Sequence, residues 1–316
     1  MSIALIQTAL ELGLFGALTT LALFLSYSML NVCDLSTDGC FTLGATVGAV
    51  VAIGGHPLLS IPAAMAAGIL SGFAVALLQT KMGINSLLAG IIVNTALYSI
   101  NIAVMDGSSV LNMNKTETVF TMARGLLEKL GLEDYNKLFV ALIAVLAAAL
   151  LLGLFLKTKL GLAIRATGNN PDMVRSSSVN TTFTTIVGLC LSNSLTALSG
   201  CLLAQSQKSV NIDIGTGMVT VALASLLIGG AFFGKRKIPL RILGMVVGSF
   251  IFRLVYTVAL RLDMPAYMLK LVSSVIVVLA ISLPYLKEQF PLLKRRFGLR
   301  KGRQPEETRK EDNGKC

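Results

Sequence analysis

Residues 138–156 read LFVALIAVLAAALLLGLFL, nineteen residues without a charge, bounded by Lys137 and Lys157. A helix needs about 20 apolar residues to cross about 30 Å of hydrocarbon, so this stretch reads as a membrane span. The rest of the chain has the same character. Hydrophobic residues make up 54% of the 316, charged residues 14%, and mean hydropathy is +0.76. Counted with glycine in place of tyrosine, the apolar share is roughly 61%, against about 45–50% in soluble domains. A water-soluble globule of this size cannot hide that much apolar surface. The fold class is therefore all-α: a polytopic membrane protein with about eight to ten spans. Helices are expected near 4–30, 41–55, 59–80, 86–105, 138–156, 181–205, 216–234, 239–260 and 266–284. The second is short and follows Asp34-Leu35-Ser36-Thr37-Asp38-Gly39, as a broken or re-entrant helix would.

The charges divide the chain into a membrane domain, 1–284, and a basic tail, 285–316, which holds 10 of the 27 Lys/Arg and 5 of the 16 Asp/Glu. The pI of about 9.6 reflects short loops and this tail, the positive-inside pattern, and not a nucleic-acid stripe. Lys157, Lys159, Arg165 and Arg175 stand against one acid, Asp172, and Lys235, Arg236, Lys237 and Arg241 against none. Both loops and the C-terminal tail are expected in the cytoplasm. The 106–137 loop balances Lys115, Arg124, Lys129 and Lys137 with five acids and is expected outside. The first basic residue is Lys81, so a cleavable signal has no basic leader and the first span reads as a retained anchor. The side on which Met1 lies stays open. Clustered Lys294, Arg295 and Arg296 suit anionic headgroups.

Metal and enzyme chemistry find little support. Cys33, Cys40, Cys190, Cys201 and Cys316 form no C-x-x-C pair, His56 is the single histidine, and no H-E-x-x-H occurs. Gly229-Gly230-Ala231-Phe232-Phe233-Gly234-Lys235 fits the opening of a phosphate-binding loop. Arg236 follows where magnesium needs Ser or Thr, and the run ends an apolar helix. No cofactor and no ATP hydrolysis are expected of this chain. Small residues four apart (Gly44/Gly48, Ala64/Gly68/Gly72, Gly244/Gly248) suit close helix packing, with a path-lining role also open to Gly44 and Gly48. Glu11 and Arg253 are the charges well inside spans. Each costs about 2.5–3.5 kcal/mol at the bilayer centre, and Arg253 is expected to be held by carbonyls or polar partners.

Segment 157–180 has its own punctuation. Gly168-Asn169 stops one helical stretch; Asn170 can cap the next, with Pro171 at its first position and Asp172 at its positive end. Met173 and Val174 supply apolar teeth and Arg175 a basic flank, which fits a partner's groove or an ordinary polar loop. Asp34, Ser36, Thr37, Asp38, Thr42, Asn94 and Asn101, with Gly44, are candidates to line a translocation path. Interhelical hydrogen bonding is equally open to the polar ones.

Gly161-Leu162-Ala163-Ile164-Arg165-Ala166-Thr167-Gly168-Asn169-Asn170 resembles the cytoplasmic loop of permease subunits in branched-chain amino acid and ribose-type ABC importers. The small-residue helix Ser192–Gly200 and the run Leu226-Leu227-Ile228-Gly229-Gly230 match the same family in order. Asp34-Leu35-Ser36-Thr37-Asp38-Gly39-Cys40-Phe41-Thr42-Leu43-Gly44-Ala45 resembles its broken-helix signature, closest to a branch proposed to import tryptophan or tyrosine. Leu87-Leu88-Ala89-Gly90-Ile91 and Ala96-Leu97-Tyr98-Ser99-Ile100-Asn101 add to that match, and the resemblance spans residues 10–285.

It implies a plasma-membrane permease that pairs with a second copy. Cytosolic ATPases carrying ATP and magnesium would dock on the coupling segment Arg165–Arg175, and an external binding lipoprotein would deliver the solute. The expected function is import of a small solute, amino acids first and aromatic ones ahead among them, by alternating access. The rival from another class is a stand-alone, ion-coupled secondary carrier.

Overall fold

A computed structural model describes residues 3–127, 135–233, 237–260, 271, 274–279 and 282. Most of the expected ninth span, 266–284, and the tail 285–316 lie outside the described residues, as do Gly234, Lys235 and Arg236. Eleven α-helices are described: α1 (Ile3–Leu23), α2 (Thr37–Ile53), α3 (Ser60–Thr80), α4 (Ser86–Val104), α5 (Val119–Leu127), α6 (Asn136–Phe155), α7 (Lys159–Asn169), α8 (Pro171–Ser176), α9 (Thr181–Gln207), α10 (Met218–Phe233) and α11 (Ile238–Leu260). A π-helical stretch, Phe24–Met29, continues α1. Among the described residues six helices are long and apolar enough to cross a membrane; α2 and α10 are apolar but shorter.

α9 is the axis of the bundle, buried along most of its length. Small side chains let three helices close on it. Along antiparallel α1, Thr19 donates to Ser199 at 2.9 Å and Ser192 donates to the Ala22 carbonyl at 2.8 Å. Along antiparallel α3, Gly68 faces the backbone of Asn193 and Gly72 that of Leu189 and Cys190. Along parallel α2, Cys40 meets the Asn193 carbonyl, Gly44 meets Ala197 and Gly48 meets Cys201. A β-carbon on Gly44 would enter the Ala197 backbone, so glycine there sets the approach distance. α11 runs antiparallel along α1, where Ser249 donates to the Gly13 carbonyl at 2.8 Å, and α10 packs on α11 through Gly229, Gly244 and Gly248.

The chain reverses between α1 and α2 at depth. Asn31 takes a left-handed backbone, φ +57, a conformation asparagine tolerates better than most residues. Asp34 then builds the next turn: its Oδ1 accepts the Ser36 N–H at 2.8 Å and its carbonyl accepts the Thr37 hydroxyl. α2 therefore starts at Thr37, four residues before the expected 41. Its level is fixed by Asn193, which lies 12 residues beyond Thr181 and 14 short of Gln207, about 18 and 21 Å from the two ends of α9. α2 thus rises from mid-depth, as a re-entrant helix does. α10 also begins at depth, because residues 212–217 dip to meet Asp38.

The bundle has two distinct ends. At one, the 106–137 loop and the α9–α10 connection form an antiparallel ribbon, β1 (Val110–Asn112) with β2 (Ser209–Asn211). Gln7, Thr8 and Glu11 of α1 share a cavity with Asn114, Thr118 and Lys208 at this ribbon end, which places the start of α1 there. α7 and α8 lie at the other end, where Gly168 seats on Met29 and Leu30 at the close of the π-helical stretch. Arg241 joins them, donating to the Ser28 hydroxyl at 2.8 Å and stacking on Phe24 at 5.2 Å. Arg253 departs from expectation in its partner: the guanidinium lies over the Tyr256 ring at 5.7 Å, and its Nε is buried without a hydrogen-bond partner among the described residues.

Candidate functional site

The mid-depth start of α2 borders a cavity of about 320 Å³. α2 supplies Asp38, Gly39 and Thr42; α4 supplies Asn94, Thr95, Tyr98 and Asn101; the dipping loop supplies Ile212, Asp213 and Thr216. Four of the sequence-derived path residues, Asp38, Thr42, Asn94 and Asn101, are brought together in its wall. Polar groups at this depth are costly in lipid, and a cavity is where they are tolerated.

Each wall group has a defined pole. The Asp38 carboxylate accepts the Gly217 N–H at 2.9 Å and the Val219 N–H at 2.8 Å, which ties α2 to the N-terminus of α10. Asn94 accepts the Gly39 N–H through Oδ1 at 2.7 Å, leaving its amide N–H₂ as the donor pole. Asn101 is 1% exposed; its Nδ2 donates to the Gly39 carbonyl at 3.2 Å, and its Oδ1 has no partner among the described residues. Flipping that amide would set oxygen against oxygen, so the orientation is determined by its neighbour. A buried acceptor left unpaired costs about 1–3 kcal/mol, a cost set here against the Gly39 bond that fixes the amide. Thr42 donates to the Asp38 carbonyl at 3.2 Å and approaches the Ile212 carbonyl at 3.5 Å.

The other four path candidates lie elsewhere. Asp34 is 2% exposed, and its Oδ2 accepts from the Asn193 Nδ2 at 2.9 Å; Ser36 and Thr37 are buried in the same turn. Gly44 packs on α9. The first three build the reversal, Gly44 sets the α2–α9 approach, and all four are absent from the cavity wall. Conversely Thr95, Tyr98, Asp213 and Thr216 were missed as site residues. The last two sit in Asp213-Ile214-Gly215-Thr216-Gly217, where an acid and paired glycines just ahead of a short apolar helix were the available signal. Gly217 has φ +87 and Gly215 abuts the Asp38 carbonyl, so both allow the loop to dip.

At the opposite end α7 and α8 form as the sequence predicts. Thr158 caps α7 by accepting the Gly161 N–H at 3.2 Å, and Asn170 caps α8 by accepting the Met173 N–H at 3.1 Å with Pro171 at the first position. Arg175 and Asp172 make an exposed pair at 3.8 Å, and the Arg175 Nε donates to Thr181 at 3.2 Å. Thr167 bonds Thr184 of α9 at 2.9 Å, fastening α7 to the central axis. Ala166, Asn169 and Asn170 are exposed, Arg165 and Gly168 half-buried. The two apolar teeth divide: Met173 is 67% exposed, whereas Val174 is 6% exposed and faces inward. Val174 is thus a packing residue of the segment, since a six-residue helix needs one anchored side chain to stay seated.

Two further cavities flank the bundle. One of about 610 Å³ at the ribbon end is lined by Glu11, Asn136, Lys137, Gln205 and Lys208 among others. One of about 640 Å³ between α3, α6 and α9 is apolar, with Ile61, Met65, Ile143, Leu151 and Leu195 in its wall. Among the described residues no group of three or more His, Cys, Asp and Glu is placed to hold a metal ion.

A family model described as "Branched-chain amino acid transport system / permease component" matches residues 5–281. The chain is similar to a tyrosine transport system permease protein of Clostridioides difficile (strain R20291), 31% identical over 84% of this chain and 86% of that one. It is also similar to a ribose import permease protein of Escherichia coli (strain K12), 26% identical over 78% and 75%. A galactose/methyl galactoside import permease protein of the same strain is 26% identical over 70% and 63%. No solved structure gives a significant match.

Proposed function

Since the chain belongs to the family of branched-chain amino acid transport system permease components, we propose that it forms the membrane path of an ATP-binding-cassette importer whose solute is an amino acid, aromatic ones such as tyrosine first. The observation that carries this reading is the polar cavity at mid-depth, walled by the start of α2, by α4 and by the loop that dips ahead of α10. Solute sites in transporters favour such broken backbone, because freed N–H and C=O groups can face a solute there. The Tyr98 ring in the wall suits an aromatic side chain.

The remaining assembly follows from the two ends. The coupling end, with Lys157, Lys159, Arg165, Arg175, Lys237 and Arg241, faces the cytoplasm, and the tail lies on that side. The ribbon end and the start of α1 then face outward, where a binding lipoprotein delivers the solute. Arg165 to Arg175, with Met173 as the exposed tooth, receives the cytosolic ATPase, which carries ATP and magnesium; this chain hydrolyses no nucleotide. A second copy covers the exposed face of α4, where Thr95, Tyr98 and Ser99 stand beside Ile91 and Ile92. That face is too polar at its centre for lipid alone, and pairing there would place two cavities side by side. ATP binding and loaded binding protein then favour different states of one bundle, which is alternating access.

The test is uptake of labelled tyrosine, tryptophan, leucine and ribose into vesicles holding the chain with its ATPase and binding lipoprotein. ATP-dependent uptake of an amino acid in preference to ribose is expected. Uptake that ignores the ATPase would return the chain to the secondary-carrier class.

A further inference from the structure

α6 and α9 run antiparallel with a gap between them. Their facing sides line the apolar cavity of about 640 Å³, from Val140 to Phe155 on α6 and from Leu202 back to Val187 on α9. Fifteen residues on each helix make it about 22 Å long. The cause is in the sequence: Ala144, Ala147 and Ala148 stand in mid-α6, where larger side chains would reach across to α9. Leu198 and Leu202 of α9 and Ala148 and Leu152 of α6 are buried along its base, whereas Ile143 and Leu151 are exposed beside it. Every wall residue is apolar, so water has no partner there. An unfilled groove would also forfeit the contacts of its lining. Its shape limits the occupant. About 640 Å³ spread over about 22 Å is a channel about 6 Å across, and a helix with its side chains needs about 10–12 Å. A single hydrocarbon chain fits where a helix does not.

The two ends of the groove differ. At the ribbon end, Val119 of α5 joins the wall beside Ile61 and Met65 of α3. Val119 is held there by its N–H, which donates to the buried Gln205 Oε1 at 2.9 Å, and Phe120 packs edge-on against Phe15 at 6.0 Å. α5 therefore closes this end. At the other end the wall stops at Phe155 and Val187, and the chain turns at once. The Lys157 and Thr158 N–H groups donate to the Leu154 and Phe155 carbonyls at 3.1 and 2.9 Å. Gly161 abuts Phe155 and Leu156, so the exposed Lys157 and Lys159 stay at the mouth of the groove. We propose that this groove seats one acyl chain of a phospholipid, inserted from the α7–α8 end, with an anionic headgroup at Lys157 and Lys159. Basic side chains at the membrane surface favour such headgroups. The lipid is a fixed component of the folded chain that wedges α6 against α9, separate from the polar cavity and whatever solute crosses there.

The test is native mass spectrometry of the full-length chain, taken into mild detergent from vesicles of equal palmitoyl-oleoyl phosphatidylglycerol and phosphatidylcholine. One phospholipid per chain is expected to survive purification, phosphatidylglycerol about fivefold or more over phosphatidylcholine. Ala144→Leu with Ala147→Leu fills the groove and is expected to cut retention about fivefold or more. Lys157→Gln with Lys159→Gln is expected to keep the lipid and remove the headgroup preference. Gel filtration checks that each variant is folded. A second measurement needs no filled groove: p-benzoylphenylalanine replaces Leu151, in the groove wall, or Leu146, which is exposed but outside it. Irradiation after purification is expected to give a phospholipid adduct at Leu151 and none at Leu146. No retained phospholipid, equal adducts at both positions, or undiminished retention in the folded alanine-to-leucine variant would overturn the proposal. So would a peptide adduct at Leu151, whether to a second copy or to residues 266–284. Equal retention of the two lipids by the unaltered chain would overturn the headgroup assignment.

Discussion

The carboxylate of Asp38 accepts the backbone N–H of Val219 at 2.8 Å, across 181 residues of sequence. One side chain on the first turn of α2 thereby serves as the cap of α10. Residues 209–217 make their reversal just ahead of α10, and Asp38 supplies the acceptor that α10's own preceding residues would ordinarily provide. Asp38→Ala removes that cap. A loss of about 1–2 kcal/mol is expected, read as a lower midpoint in thermal unfolding of the detergent-purified chain. Asp38→Asn, which keeps one acceptor oxygen, is expected to lose less than half as much.

Asp34 and Asn193 are joined at 2.9 Å in the buried reversal. Removing either partner strands the other, so each single alanine variant is expected to lower stability by about 1.5–3 kcal/mol. The double variant should cost less than the sum, by a coupling of about 0.5–3 kcal/mol. Additive losses in that thermodynamic cycle would show that the pair makes no joint contribution.

Adjacent glycines on α10 give opposite expectations. A β-carbon on Gly229 would enter the backbone of Gly244, whereas one on Gly230 would meet nothing within 4 Å. Gly229→Ala is expected to destabilise by about 1–3 kcal/mol through overpacking. Gly230→Ala is expected to stabilise by about 0.5–1 kcal/mol through helix propensity. Unfolding midpoints of the two variants falling on the same side of the parent would contradict the α10–α11 contact.

Met173 and Val174 differ in burial, 67% against 6% exposed, so under the proposed ATPase docking they separate coupling from folding. Met173→Asp alters an exposed tooth, and is expected to leave the unfolding midpoint unchanged while reducing ATP-driven uptake at least tenfold. Val174→Asp buries an unpaired charge and is expected to lower the midpoint itself. Asn170→Ala should fall between them, costing about 1 kcal/mol for the lost cap. Uptake in Met173→Asp equal to the parent would remove this segment from the ATPase interface.

How much could be read from sequence varied with the range of the forces involved. The end of α7 and the start of α8 were legible because Asn169, Asn170 and Pro171 act within three residues of themselves. The apolar helices were legible because insertion into lipid is decided by composition over about 20 residues. The ribbon between Val110–Asn112 and Ser209–Asn211 was not, since two three-residue strands joined across nearly a hundred positions leave no local pattern. The left-handed Asn31 was equally silent, as asparagine in a polar connection carries many conformations. Half of the path candidates reached the cavity because polar residues near broken backbone have two uses. Asp38 and Asn101 serve the cavity, while Asp34 and Ser36 are consumed in making the break. Asp213, exposed in the connection that Asp38 holds through Gly217 and Val219, carried no local signal that it would border a cavity.

α2 and α9 meet at Cys40 with Asn193, Gly44 with Ala197, and Gly48 with Cys201, always four residues apart on each helix. Two combs with equal tooth spacing lock in register. Sliding by less than a full turn would drive a tooth of one helix into the backbone of the other, and a full turn is about 5.4 Å. Continuous shear is therefore closed to this pair, which must travel as one beam. Any change in the shape of the cavity then falls to the walls that do not ride on this beam, α4 and the loop 212–217. The Asp38 cap is the point at which that beam is pinned to the loop and to α10.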